Sequence, residues 1–161
     1  MLLNKEQVMT FLPHREPFLF IDSVESVTID KPTDEKMDVK ELEGATVIAN
    51  YRTLKDHPIF AGHFPGNPVL PGVVQVEMMA QASSFIFHLT HDLTTNTDVK
   101  MEVALVSVTD TKFRKPVLPE MDLRIETVCT KIRRTMIASD CKLYNGDTLV
   151  SECSVLASVQ L

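Results

Sequence analysis

No apolar run in the 161-residue chain is long enough to span a bilayer, which removes a transmembrane helix from consideration. Basic residues are outnumbered, 16 Lys and Arg against 22 Asp and Glu for a net charge of -6, so the chain lacks the cationic surplus that a phosphate backbone demands. Nucleic acid is therefore not an expected partner. Cysteine is scarce and odd in number, with no CxxC pair. Cys129, Cys141 and Cys153 each stand in a stretch that reads as strand, and buried free thiols are expected rather than disulfides or a zinc site. Internal repeats and low-complexity segments are also missing. The opening Met1-Leu2-Leu3-Asn4-Lys5-Glu6 does not have the charged-then-apolar layout of a signal peptide, and a cytoplasmic location is expected.

What is present is an ordinary globular composition, 44% hydrophobic and 24% charged, at a length that suits one domain over 1–161. Lys5 to Leu12 reads as a short helix, with Asn4 as its N-cap, Val8, Phe11 and Leu12 on one side, and Pro13 to stop it. Phe18 to Ile29 reads as a strand, and the acidic, polar segment Ile29 to Leu42 as a flexible loop. Ala45 to Arg52 alternates like a strand. From Met101 onward three or four β-rich runs follow, the last two split by a turn at Asn145-Gly146-Asp147.

The only long helical pattern lies between Pro71 and about His91, and it is apolar nearly all round, with Val73, Val74, Val76, Met78, Met79, Ala80, Ala82, Phe85, Ile86, Phe87 and Leu89. Such a helix must be wrapped on most sides. A strongly curved antiparallel sheet folded around it supplies the wrapping, so the expected class is α+β. Edge strands of that sheet can pair between subunits and hide their unpaired backbone groups.

Glu77 is the one acidic residue in this apolar helix before Asp92, and no Lys or Arg stands near it in sequence. A carboxylate there is costly unless something offsets it. It either meets a buried hydrogen bond or a solvent gap at a dimer interface, or it does chemistry. Upstream, Pro65, Pro68 and Pro71 forbid a helix between His63 and Glu77 and stiffen the connection, while Gly62, Gly66 and Gly72 permit tight turns and close approach of a ligand. An imidazole so placed and an acid in an apolar wall form a pair suited to acid–base chemistry, one group removing a proton and the other delivering one. Pro71 fits the first helical position, and the free N–H groups near Gly72 and Val73 would then point out of the helix start, able to stabilise an enolate oxygen.

Three separated motifs carry a resemblance: Leu12-Pro13-His14-Arg15-Glu16-Pro17-Phe18-Leu19-Phe20-Ile21-Asp22, the stretch Gly62 to Ala82, and Lys112-Phe113-Arg114-Lys115-Pro116-Val117-Leu118-Pro119. Together they resemble the FabZ type of (3R)-hydroxyacyl-acyl carrier protein dehydratase. The resemblance implies a hot-dog fold, a homodimer, commonly stacked as a trimer of dimers, and an acyl carrier protein bearing an acyl-phosphopantetheine substrate. It implies loss of water from a (3R)-3-hydroxyacyl thioester to give the trans-2-enoyl thioester, with no metal and no other cofactor. His63, in the GHFPG motif, maps to the catalytic histidine and Glu77 to the catalytic acid, the two coming from different subunits. The Gly72 N–H maps to the thioester carbonyl, with Phe64 and Val73 beside it as substrate-binding residues. The related FabA type carries aspartate at the helix position, so Glu77 favours simple dehydration.

The carrier protein is acidic, and Lys112, Arg114, Lys115, Arg133 and Arg134 form the densest cationic cluster in a net acidic chain; Lys112, Arg114 and Lys115 are the expected docking residues. His14 and Arg15 are expected to be structural. His88, His91 and Asp92 have a spacing a metal could use, but at a solvent-facing helix end they are not expected to bind one. A hot-dog thioesterase and a non-catalytic acyl-binding subunit are the rival readings; the GHFPG histidine loop argues against the first and retention of both His63 and Glu77 against the second.

Overall fold

The computed structural model describes residues 1–31, 37–95 and 102–160. Helix α1 (Lys5–Phe11) opens on Asn4, whose side chain accepts from the Gln7 N–H while the Gln7 side chain returns the favour to the Asn4 N–H, a reciprocal capping box. Strands β1 (Ser23–Thr28) and β2 (Thr46–Arg52) follow, then a short helix α2 (Ile59–Gly62) that composition did not announce. Helix α3 (Gly72–Ser83) comes next, and the chain closes with β3 (Glu102–Phe113), β4 (Asp122–Arg133), β5 (Met136–Asn145) and β6 (Thr148–Gln160). Of the expected loop Ile29 to Leu42, residues 32–36 lie outside the described residues, and Val39–Glu41 forms one 3-10 turn.

The six strands form one antiparallel sheet in the order β1-β2-β4-β5-β6-β3. Alternation explains which face turns inward: Leu123, Ile125, Thr127 and Cys129 on β4 and Ile137, Ser139, Cys141 and Leu143 on β5 are buried, their neighbours mostly not. Register slips at Val24/Ser26, Leu105/Ser107, Thr109/Lys112 and Cys129/Lys131 are the bulges that bend such a sheet. It curves around α3, which packs on β2, β4, β5 and β6. This is the expected wrapped-helix architecture of the hot-dog fold. The three cysteines are free and buried, as their strand settings led one to expect. No helix among the described residues is long and apolar enough to cross a membrane.

The structure corrects the element boundaries in three places. β1 begins at Ser23 rather than Phe18, because the backbone before it bonds to a side chain instead of a strand: Gln81 accepts from the Phe20 N–H at 2.9 Å and donates to the Phe18 carbonyl at 3.0 Å. The long helix ends at Ser83 and continues only as a 3-10 segment, Ser84–Leu89. The Ser83 and Ser84 hydroxyls both donate to the Ala80 carbonyl, a competition with the α-helical ladder that tightens the turn. Pro71 is the N-cap, with an extended ψ of 138°, so Gly72 is the first helical residue.

Nor is α3 covered on all sides within one chain. Val74, Gln75, Met78, Met79, Gln81 and Ala82 are buried, while Val73, Val76, Glu77, Ala80 and Ser83 stay partly or fully open and fall on one helical stripe. Val73 is 76% exposed. The outer edge of the sheet is equally bare: β3 is exposed along all 12 residues, and Val103, Leu105, Val106 and Val108 lie on it.

Candidate active site

His63 caps α2 and enters a non-helical connection to α3 that bends sharply. Phe64 and Asn67 exchange backbone hydrogen bonds at 3.0 and 2.9 Å around Pro65-Gly66, and Gly66 takes the positive φ of 74° that such a turn requires. The turn brings Val69 back to His63. The Val69 N–H donates to the His63 carbonyl at 2.8 Å, and the Val69 carbonyl lies 2.7 Å from His63 Nδ1. A carbonyl can only accept, so Nδ1 carries a proton, and in the neutral ring it is Nε2 that keeps the lone pair. The sequence-level idea of a stiff, imidazole-holding loop thus has a specific form: one backbone carbonyl sets the tautomer of a base.

His63, Val69, Leu70, Gly72, Val73, Gln75, Phe113, Arg114, Lys115 and Pro116 line one cavity of about 500 Å³. The Pro71 carbonyl accepts from the Val74 and Gln75 N–H groups at 3.0 and 3.2 Å, which leaves the Gly72 and Val73 N–H groups without a partner among the described residues. They form the positive end of α3 beside the imidazole. Phe113 closes over this end; a methyl group on Gly72 would stand 2.7 Å from the tip of its ring. Gln75, 3% exposed, donates to the Leu70 carbonyl at 3.3 Å, and its Oε1 is buried with no partner. Sequence reasoning passed over Gln75, although an amide amid Val and Met on an apolar helix was a visible signal.

The other expected residues fall around this cavity unevenly. Phe64 stacks on His63, ring centroids 4.0 Å apart, but lines a neighbouring cavity with His57, Phe60 and Pro68. Arg114 and Lys115 stand at the mouth beside Phe113, whereas Lys112 lies off it; Lys112 and Arg114 both reach Glu152, at 3.7 and 2.9 Å. The Arg114 hydrogen bond and charge hold the Glu152 carboxyl below the usual carboxylate range. His88 Nδ1 accepts from the Leu93 N–H, and His91 Nδ1 is 2.7 Å from the Thr90 hydroxyl.

Glu77 is not brought to His63. No hydrogen bond or ion pair joins the two among the described residues, and Glu77 does not line the His63 cavity. It sits on the open stripe of α3 with two nitrogens at one oxygen: Gln81 Nε2 donates to Oε1 at 2.9 Å, and His14 Nε2 lies 3.3 Å from it. His14, expected to be structural, is therefore a direct neighbour of the helix carboxylate. Nothing in the spacing of the first motif indicates this, because it depends on the path of the loop after α1.

A curved antiparallel sheet around a helix whose N-terminus shares a cavity with a histidine defines a hot-dog domain. The FabA-like domain family matches residues 12–154. The 3-hydroxyacyl-[acyl-carrier-protein] dehydratase FabZ of Ehrlichia canis is 36% identical over 160 residues, covering 99% of this chain and 97% of that protein. The bifunctional enzyme LpxC/FabZ of Chlorobaculum tepidum is 36% identical over 153 residues; the match takes in 94% of this chain but only 29% of that longer protein. Among solved structures, the dehydratase heterocomplex ApeI:P from Xenorhabdus doucetiae shares the fold, with a TM-score of 0.69 at 16% identity over 96% of this chain and 91% of that one. The chain belongs to the FabA-like family and, within it, to the FabZ dehydratases.

Proposed function

We propose that the chain, acting as one domain, dehydrates (3R)-3-hydroxyacyl-acyl carrier protein to the trans-2-enoyl thioester in fatty acid or related lipid biosynthesis. The observation that carries the assignment of the base is the 2.7 Å bond from His63 Nδ1 to the Val69 carbonyl, which reserves Nε2 for a substrate proton beside the free N–H groups of Gly72 and Val73. The thioester carbonyl accepts from those groups, and the charge that develops on its oxygen as the C2 proton leaves to His63 Nε2 is stabilised there. Glu77 gives a proton to the C3 hydroxyl as the C3–O bond breaks, C2=C3 forms and water departs. Val73 walls the acyl chain, and Phe64 holds the imidazole plane from behind by stacking.

Glu77 comes from a second copy of the chain. The open apolar stripe of α3 and the bare 12-residue edge β3 both support a homodimer, since a second subunit would cover the one and pair the other. Dimers stacking as trimers would follow the family pattern. The acidic carrier docks at the mouth through Arg114 and Lys115, with Lys112 behind them, and the enzyme works in the cytoplasm.

The test is complementation. His63→Ala and Glu77→Gln are each expected to lower turnover of crotonyl and 3-hydroxybutyryl carrier thioesters by orders of magnitude with the fold intact. Mixed and allowed to exchange subunits, the two dead variants should regain activity, because some hybrid dimers hold one complete site. A near-normal rate in either single variant refutes the residue assignment, and no recovery despite proven exchange refutes the shared site.

A further inference from the structure

Three histidines stand near the reaction region, and their hydrogen bonds sort them. His57 uses both nitrogens internally: Nδ1 accepts from the Ile59 N–H at 3.3 Å, and Nε2 lies 3.1 Å from the Pro17 carbonyl. His63 has one nitrogen committed and one free. His14 is of neither kind. Its Nε2 faces Glu77 Oε1 at 3.3 Å, while its Nδ1 is buried and has no partner.

The unpartnered nitrogen is informative. A second N–H on His14 would place a buried donor, and a charge, against nothing that accepts. With no acceptor at Nδ1 among the described residues, a singly protonated ring carries its proton on Nε2, toward Glu77 Oε1. The ring is then held in one tautomer. The lock has further support: the Phe18 ring stacks on the imidazole at 6.4 Å between centroids, and the Arg15 guanidinium ties the loop by donating to the Leu12 and His14 carbonyls at 2.8 and 2.7 Å.

Glu77 Oε1 thus accepts a hydrogen bond from Gln81 and has His14 Nε2 as a second nitrogen 3.3 Å away. Gln81 is itself fixed, being 2% exposed and bonded to Phe18 and Phe20. Both nitrogens suit Oε1 as a carboxylate oxygen, or as the C=O oxygen of the protonated acid, better than as its hydroxyl, the weaker acceptor. We infer that His14 is a positioning residue: with Gln81 it reserves Oε1 of Glu77 as a permanent acceptor, so that the proton delivered to the leaving hydroxyl is carried on Oε2. His14 also has no vacant nitrogen facing Glu77 with which to divert that proton. The inference rests on Glu77 being the acid of the proposed reaction.

The experiment compares His14→Phe, which keeps an aromatic ring against Phe18 but removes the donor, with His14→Gln, whose amide can donate near the Nε2 position. Both are assayed with a 3-hydroxybutyryl thioester, alone and combined with Glu77→Gln. His14→Phe is expected to lower kcat about tenfold to a hundredfold, the range for loss of a hydrogen bond to a charged group, with KM changed less than threefold. His14→Gln should recover most of that loss, and His14→Phe should cost nothing further in the Glu77→Gln background. A kcat within twofold of the parent in His14→Phe, a His14→Gln enzyme as impaired as His14→Phe, or a full additional loss in the Glu77→Gln background overturns it. If His14→Phe does not fold, His14→Gln decides alone, since a folded but equally impaired variant refutes the donor role. An active Glu77→Gln enzyme would instead sink the assignment of the acid; an inactive one with an unaffected His14→Phe sinks this inference alone.

Discussion

Replacing Gly72 by alanine probes the contact between the helix start and Phe113. The added Cβ would meet Phe113 Cζ at 2.7 Å, Cε1 at 2.9 Å and Cε2 at 3.0 Å. Ordinary contact begins at about 3.4 Å, so one partner must retreat by about 0.7 Å. The ring tip yields, because Phe113 is 52% exposed and ends the edge strand, whereas the helix start is tied through the Pro71 carbonyl. Turning the ring off its rotamer costs about 1 kcal/mol, and alanine returns roughly 0.5–1 kcal/mol by its helix propensity, so stability hardly changes. Activity does change, since the displaced ring lies on the wall of the His63 cavity. A misplacement near 1 Å costs on the order of a hundredfold, and a fall in kcat/KM of about tenfold to a hundredfold is expected with Tm within about 4 °C of the parent. The assay is hydration of a crotonyl pantetheine thioester, followed by loss of enoyl absorbance, in a cycle with Phe113→Ala. In that background Gly72→Ala should be nearly silent, because the clash is gone. A kcat/KM within threefold of the parent, or a loss as large in the Phe113→Ala background, refutes the contact as the cause.

Gln81→Ala leaves the buried Phe20 N–H and the part-buried Phe18 carbonyl without their side-chain partner and is expected to cost about 1–3 kcal/mol, measured by urea unfolding; less than about 0.5 kcal/mol would refute the bracing role. Lys115→Glu at the cavity mouth should raise KM for the carrier-bound substrate about tenfold at low salt and leave the pantetheine thioester unaffected, and an equal effect on both substrates contradicts docking there. Burial, then the Glu43 charge, pushes the Cys129 thiol up to about 11. A group whose pKa is raised on folding gives its full stabilisation below its unfolded value and loses it as pH climbs through the folded one. The urea midpoint should therefore fall from about pH 9 to pH 11, and Cys129→Ala should flatten that fall; an unchanged slope in the variant excludes Cys129 as a source.

The architecture was legible because the signals are local and cumulative: β-rich alternation, one apolar helix, and prolines that separate His63 from Glu77. His63 and Glu77 themselves stood out by residue type against their surroundings. What sequence did not show depends on paths and side-chain competition. Gln81 takes the place of a strand ladder at Phe18 and Phe20, two serine hydroxyls shorten α3, and the loop after α1 returns His14 to the helix carboxylate. The contrast among His14, His57 and His63 makes the limit concrete, since what separates them is the acceptor or void facing each nitrogen.

Gln81 bonds at once to the backbone beside β1 and to Glu77. A transient opening of the backbone at Phe18 and Phe20 therefore strips the Gln81 amide that contacts Glu77 of its two anchors without unfolding the sheet. Heat inactivation then reads the lifetime of this one local closure, and an enzyme stabilised elsewhere in its core would melt later yet stop working at the same temperature.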